Sequence, residues 1–241
     1  MKPLCVIPAR RGSKRLPLKN ILPLGGRPML AYSVEAARES GVFDVVWVST
    51  EDDQIARIAE EHGARVHERP VDLAGDLVSA TDVCIDVLQA RAAAGEAHDA
   101  VMCLQPSSPL RIAEDVRGSW EHFVASGADY LVSVTPIDPH YFHWAVHRTG
   151  DDWAMVFGDQ YMIERPLLPP VYRPNGSIKI GRAAPLTDRR NFFGPRLTVF
   201  ETPEARSVHV AERFEFDLAD FLLRGRGAGR EAAERVAEET R

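Results

Sequence analysis

Through the first half of the chain, short apolar runs rich in β-branched residues alternate with segments of helical periodicity. Residues 4–8, 45–48, 65–67, 100–104 and 130–134 read as strands. Between them lie helices. Pro28 opens one, with Leu30, Val34 and Ala37 near helical spacing. Ser49-Thr50-Glu51-Asp52 starts a second, whose inward face carries Ile55, Ile58 and Ala59 and which Gly63 ends. Residues 81–91 and 116–124 give two more, the first with Val83, Val87 and Leu88 inward. Strands linked by helices of this length form parallel βαβ units with right-handed crossovers. The predicted fold is α/β: a Rossmann-like, mostly parallel sheet flanked by helices. With 241 residues and 45% hydrophobic side chains, the chain can build such a core.

In sheets of this kind ligands bind beyond the carboxyl ends of the strands. Four polar loops fall there, at residues 10–19, 49–53, 69–76 and 105–111. The second half is less regular. Residues 136–170 are rich in proline and aromatic side chains and carry no clear period. Residues 177–180 and 197–200 read as strands and 214–223 as a helix. Gly225, Gly227 and Gly229 then break the chain, and a frayed tail is expected over 224–241. Neither a repeat nor a linker divides the sequence, so one domain is expected over residues 1–241.

The formal net charge of −6 argues against a nucleic-acid partner, because duplex affinity rests on neutralising phosphates with Lys and Arg. No apolar stretch reaches the roughly 20 residues that span a bilayer. Met1-Lys2-Pro3 leads straight into a strand-like run, and a soluble cytoplasmic protein is expected. Cys5, Cys84 and Cys103 sit apart in apolar runs, without metal-site spacing, and read as buried free thiols.

The basic residues are concentrated instead. Five of them fall between Arg10 and Lys19, within Ile7-Pro-Ala-Arg-Arg-Gly-Ser-Lys-Arg-Leu-Pro-Leu-Lys-Asn20. Gly12 lets the backbone turn closely around a ligand. Arg10, Lys14 and Lys19 supply positive charge, and Ser13 and the backbone N–H groups can donate hydrogen bonds. A loop of this make-up leaving a buried strand suits a triphosphate. It has neither the GxxxxGK[ST] nor the GxGxxG order.

This loop and four further stretches resemble the N-acylneuraminate cytidylyltransferase family, in the family's order. They are Glu68-Arg-Pro-Val-Asp-Leu-Ala-Gly-Asp76, similar to an RPxxLAxD loop; Leu104-Gln-Pro-Ser-Ser-Pro-Leu-Arg111, similar to LQPTSPLR; Tyr172-Arg-Pro-Asn-Gly-Ser-Ile178, similar to RPNGAI; and Asn191-Phe-Phe193. Val48-Ser-Thr-Glu-Asp52 resembles the family's second-strand exit. The resemblance implies a nucleotide-diphospho-sugar transferase type of fold with a smaller dimerisation extension over 136–170. The implied reaction is transfer of CMP from CTP to a sugar-acid-like acceptor, a nonulosonic acid or related carboxylate or phosphonate, by a homodimer. Arg10, Gly12, Ser13, Lys14, Lys19 and Asn20 would hold the triphosphate, with Arg10 and Lys19 catalytic. Arg69, Asp76, Ser79 and Ala80 would line the cytidine pocket. Gln105, Ser107, Ser108, Arg165, Arg173 and Asn175 would meet the acceptor, with Phe192 and Phe193 as an apolar wall. By residue pattern alone, Phe192 and Phe193 read as core residues and Arg111 and Arg165 as surface charges.

Three departures from the family stand out. Its metal-holding Asp-x-Asp pair aligns, without gaps, on His209 and Ala211; a shifted register would offer Glu215 and Asp217. The expected cofactor, Mg²⁺ or Mn²⁺, is then held mainly by the CTP phosphates. The lysine of sialate-active members is missing from Pro139-His-Tyr-Phe-His143, and Lys179 replaces a tyrosine. Two alternatives stay open: a nucleotidyltransferase using another nucleoside triphosphate, and a catalytically silent homologue that binds nucleotide as a scaffold subunit.

Overall fold

A computed structural model describes residues 1–225. The expected frayed tail lies, from residue 226, outside the described residues. The chain opens with β1 (Pro3–Pro8), a 3₁₀ turn at Lys19–Ile21, and two short paired strands, β2 (Pro23–Leu24) and β3 (Arg27–Pro28), before α1 (Met29–Glu39). There follow β4 (Val46–Thr50), α2 (Asp53–Glu61), β5 (Arg65–Glu68), α3 (Ala80–Ala93), β6 (Ala100–Leu104), α4 (Ala113–Ser126) and β7 (Tyr130–Ile137). The second half adds α5 (Pro139–His143), β8 (Val146–Thr149), β9 (Asp152–Met155), β10 (Val171–Arg182), α6 (Ala183–Arg189), β11 (Leu197–Glu201) and a helix over 213–225.

The central sheet has the order β11-β7-β10-β6-β1-β4-β5. All its neighbours pair in parallel except β10, which runs antiparallel between β6 and β7. The sequence showed β10 only over 177–180, because Pro174 removes a ladder donor and the register shifts between Pro174 and Lys179.

Period-two alternation sorts β1 onto both faces. Cys5 and Ile7 pack with Leu30, Val34, Ile55, Val116 and Phe123 under α1, α2 and α4. Leu4 and Val6 pack with Cys84, Val87, Leu88 and Leu186 under α3 and α6. Each such side chain, fully buried, contributes about 1.5–3 kcal/mol. The three cysteines are buried and free. Helix starts follow local capping: Asp52 accepts from the N–H groups of Gln54 and Ile55, and Ser79 accepts from that of Asp82.

A third apolar cluster positions the loops. Leu16 of the basic loop, Leu110 of the 105–111 loop, Val210, and Phe216 and Ala219 of the last helix pack together. The 136–170 segment is built otherwise. β8 and β9 pair only with each other, and Phe142 stacks on Phe157 at 4.2 Å. Tyr141, Trp144, Trp153, Met162 and Leu167 remain exposed.

Candidate active site

The carboxyl ends of β1 and β6 open into a cavity of about 440 Å³. Loops distant in sequence meet there: Arg10, Gly12, Ser13, Lys14, Lys19 and Asn20; Arg69, Asp76 and Ala80; Gln105 and Ser107; and Ala211. Among the described residues that line it, Arg10, Lys14, Arg15, Lys19 and Arg69 are cations and Asp76 is the one carboxylate.

The basic loop is shaped by its own contacts. Asn20 is buried, and its Nδ2 donates to the carbonyl of Arg10 at 2.8 Å, closing the loop on itself. Leu18 adopts the left-handed region at φ 55°, uncommon for a non-glycine residue, and so turns the chain into the 3₁₀ turn that carries Lys19. Lys19 Nζ donates to the carbonyl of Val210 at 2.9 Å. Burial, then the charges of Arg15 and Arg10, lower the pKa of this ammonium. A Cβ on Gly12 would meet no atom within 4 Å, so this glycine leaves open space in the cavity. Arg15, which the sequence reading passed over, also faces the cavity; its place within the basic cluster was the available signal.

Asp76 gathers two of the cations. Arg10 Nη1 donates to its Oδ1 at 2.9 Å, and Lys14 Nζ lies 2.6 Å from its Oδ2. Those hydrogen bonds, from Lys14 first and then Arg10, hold the carboxyl below its usual range. An incoming anion competes with Asp76 for both groups. Arg69 is buried, with Nη2 donating to the carbonyl of Ser49 at 2.6 Å. Ser79 caps α3 beside Ala80 and does not line the cavity itself.

Arg111 reads as a surface charge in the residue pattern, and the structure corrects that. It is buried, donating from Nη1 to the carbonyl of Ser177 at 2.5 Å and from Nη2 to Ser33 Oγ at 2.7 Å. It clamps the 105–111 loop to β10. Asn175 is likewise buried: its Oδ1 accepts from Ser133 Oγ at 2.6 Å and its Nδ2 donates to Thr202 and Ser207. It organises the irregular stretch within β10, where the register shifts between Pro174 and Lys179, rather than lining the cavity.

The remaining acceptor residues are dispersed. Ser108 is buried beside His209, while Arg173 lines an adjoining cavity of about 540 Å³ with His209. Arg165 lies on the 136–170 segment in an exposed ion pair with Asp138 at 3.0 Å. Phe192 is fully buried in the core with Leu4, Val6 and Leu186, so it is core packing and not a cavity wall. Phe193 is half exposed and lines neither cavity.

A family cation would need carboxylates, and the donors present do not fit one. Among the described residues no group of three or more His, Cys, Asp and Glu side chains is gathered. Ala211 lines the main cavity, and His209 lines the adjoining one together with Glu215. Asp217 is exposed and ion-paired with Arg213 at 2.8 Å, and Glu215 Oε2 accepts the N–H of Glu212 at 2.8 Å.

The Cytidylyltransferase family profile matches residues 4–192. The chain is 30% identical over 226 residues to the pseudaminic acid cytidylyltransferase of Campylobacter jejuni, covering 93% of this chain and 97% of that one. It is 34% identical to the CMP-N,N'-diacetyllegionaminic acid synthase of Legionella pneumophila, covering 92% and 97%. It also matches an N-acylneuraminate cytidylyltransferase of Streptococcus agalactiae at 33% identity, spanning 52% of that longer protein. Among solved structures, a CMP:2-keto-3-deoxy-manno-octonic acid synthetase complexed with CTP superposes with a TM-score of 0.69 at 20% identity, over 94% of this chain and 100% of that one. That likeness establishes a shared fold. With a basic cavity at the carboxyl edge of a parallel sheet and a family profile that runs from β1 to Phe192, the chain belongs to the cytidylyltransferase family.

Proposed function

We propose that this chain transfers CMP from CTP to a nonulosonic acid or a closely related sugar acid, with release of pyrophosphate. One observation carries the reading: five cations, four from the basic loop and Arg69 from the 69–76 loop, converge on one cavity, with a single carboxylate among its described lining residues. The relatives named for pseudaminic, legionaminic and N-acylneuraminic acid chemistry point to the acceptor class.

In this reading the triphosphate displaces Asp76 from Arg10 and Lys14. Arg69, Asp76 and Ala80 form the base end of the site, with Ser79 capping α3 beside Ala80, and Gln105 and Ser107 face the sugar, next to the buried Ser108. The acceptor hydroxyl attacks the α-phosphorus in line while the bond to the β-phosphate breaks. Lys19 and Arg10 stabilise the charge that grows on the phosphate oxygens, and their fixed positions require no reorganisation during the step. Any divalent cation, Mg²⁺ or Mn²⁺, arrives on the CTP phosphates.

The protein acts as a homodimer in the cytoplasm in this reading. The exposed aromatic side chains of residues 136–170 form the contact, and the dimer brings Arg165 of one protomer towards the acceptor site of the other. Among the described residues no helix is long and apolar enough to cross a membrane. The deciding experiment is pyrophosphate release from CTP with a panel of nonulosonic and octulosonic acids. Release with at least one acid supports the assignment; release with none, or only with a different nucleoside triphosphate, refutes it.

A further inference from the structure

Of the basic residues between Arg10 and Lys19, only Arg11 does not line the main cavity. Two adjacent carboxylates at the exit of β4 hold it elsewhere. Asp52 Oδ2 accepts from its Nη1 at 2.5 Å, and Glu51 Oε1 accepts from its backbone N–H at 2.8 Å. The loop is therefore pinned at Arg11, while Arg10 before it and Lys14 after it reach the cavity. The N–H groups of Gly12, Ser13 and Lys14 have no hydrogen-bond partner among the described residues. Successive N–H groups left free in this way form a concavity for an anion.

The second oxygen of Glu51 faces the other end of the site. Glu51 Oε2 is buried and accepts no hydrogen bond among the described residues. It stands 3.7 Å from Nη1 of Arg69. Arg69 is itself buried, and Ser49 takes its other donors: Nε donates to Ser49 Oγ at 3.3 Å and Nη2 to the Ser49 carbonyl at 2.6 Å. Among the described residues Glu51 is the one carboxylate ion-paired with this guanidinium. Burial lowers the Arg69 pKa, and the charge of Glu51 is the leading influence that opposes the shift. A buried cation that loses its counter-ion is left uncompensated.

We propose that Glu51 is a positioning residue for the nucleotide: through the Arg11 N–H it sets the basic loop that receives the triphosphate, and through Arg69 it sets the base end of the same cavity. Glu51 does not line the cavity, so it acts through these two partners and not by touching the ligand. The inference rests on the reading of the main cavity as a nucleotide site, and its test does not depend on turnover.

The wild type, Glu51→Gln and Glu51→Ala are each titrated with inorganic pyrophosphate and with CTP by calorimetry, and thermal unfolding of the same preparations is recorded. A glutamine oxygen still accepts from the Arg11 N–H, but the amide brings no negative charge to Arg69. Glu51→Gln should therefore keep its pyrophosphate affinity within about twofold of the wild type and bind CTP about tenfold more weakly. Glu51→Ala should weaken both ligands by about tenfold or more, because both ends of the site lose their support. A carboxylate that only stabilises the fold would lower the unfolding temperature without separating the two ligands. Equal loss of pyrophosphate and CTP in Glu51→Gln would overturn the inference, and so would wild-type affinity for CTP in that variant. The glutamine variant decides the matter even if Glu51→Ala does not fold. Binding of neither ligand by the wild type would instead refute the nucleotide-site reading on which the inference rests.

Discussion

The ammonium of Lys19 and the carbonyl of Val210 are joined by a 2.9 Å hydrogen bond across a sequence separation of 191 residues. The same Val210 donates its N–H to the carbonyl of Ser107 at 2.7 Å. The basic loop, the 105–111 loop and the segment bearing His209 are thus tied at one residue. Apolar packing of Leu16, Leu110 and Val210 holds the junction from below.

Lys19→Ala should lower turnover by about a hundredfold or more, because a preorganised cation beside the reacting phosphate is lost. Folding should survive, since one net hydrogen bond is worth only about 1 kcal/mol. Steady-state pyrophosphate release and thermal unfolding, measured on the same preparation, check both halves of this expectation. Near-normal turnover would remove Lys19 from the mechanism.

Arg111→Leu should cost about 2 kcal/mol or more, because it leaves the Ser177 carbonyl and Ser33 hydroxyl without their donor in a buried place. Arg111→Lys should not restore stability, since one ammonium cannot reproduce the forked geometry. Urea unfolding of the three proteins is the measurement. A fully stable Arg111→Leu protein would contradict the clamp.

His209 makes stability depend on pH. Its folded pKa, about 4, lies below the ordinary value of 6.5, so the unfolded chain binds the extra proton between those limits. The contribution is complete above pH 6.5 and is lost as pH falls towards 4. His209→Gln should therefore lose less stability than the wild type between pH 7 and pH 4.5. Identical pH profiles for the two proteins would contradict the burial of a neutral ring.

If the proposed homodimer forms through residues 136–170, the wild type should sediment as a dimer and Trp153→Asp as a monomer, because the substitution places charge within an exposed aromatic face. Unchanged sedimentation of the variant as a dimer would move the contact elsewhere.

The sequence makes the first half of the fold legible for a physical reason. β1, β4 and β6 are buried on both faces, and Asp52 announces a helix by capping it. The 136–170 segment is opaque because β8 is exposed along its whole length and β9 almost so, leaving no alternation to read. α6 escapes because Leu186 is the sole buried residue among its seven.

The site divides in the same way. Arg10, Lys14, Lys19 and Arg69 stand near glycine, serine and proline in loops after strands, and the structure brings them together. Arg111 misleads, because a guanidinium can be buried when carbonyls and hydroxyls accept its donors, and those acceptors are invisible in sequence. Phe192 misleads in the other direction: the family pattern points to a cavity wall, while its ring lies in the core between β1 and α6. The αL conformation of Leu18, which directs Lys19, has no signature in a leucine.

Incubation with CTP and a nonulosonic acid, followed by mass spectrometry of the product, tests the central claim most directly. The account predicts a CMP ester of the acid, formed in step with pyrophosphate and lost in Lys19→Ala. CTP that binds in the cavity, detected by calorimetry, but yields neither ester nor pyrophosphate with any acid in the panel would contradict it.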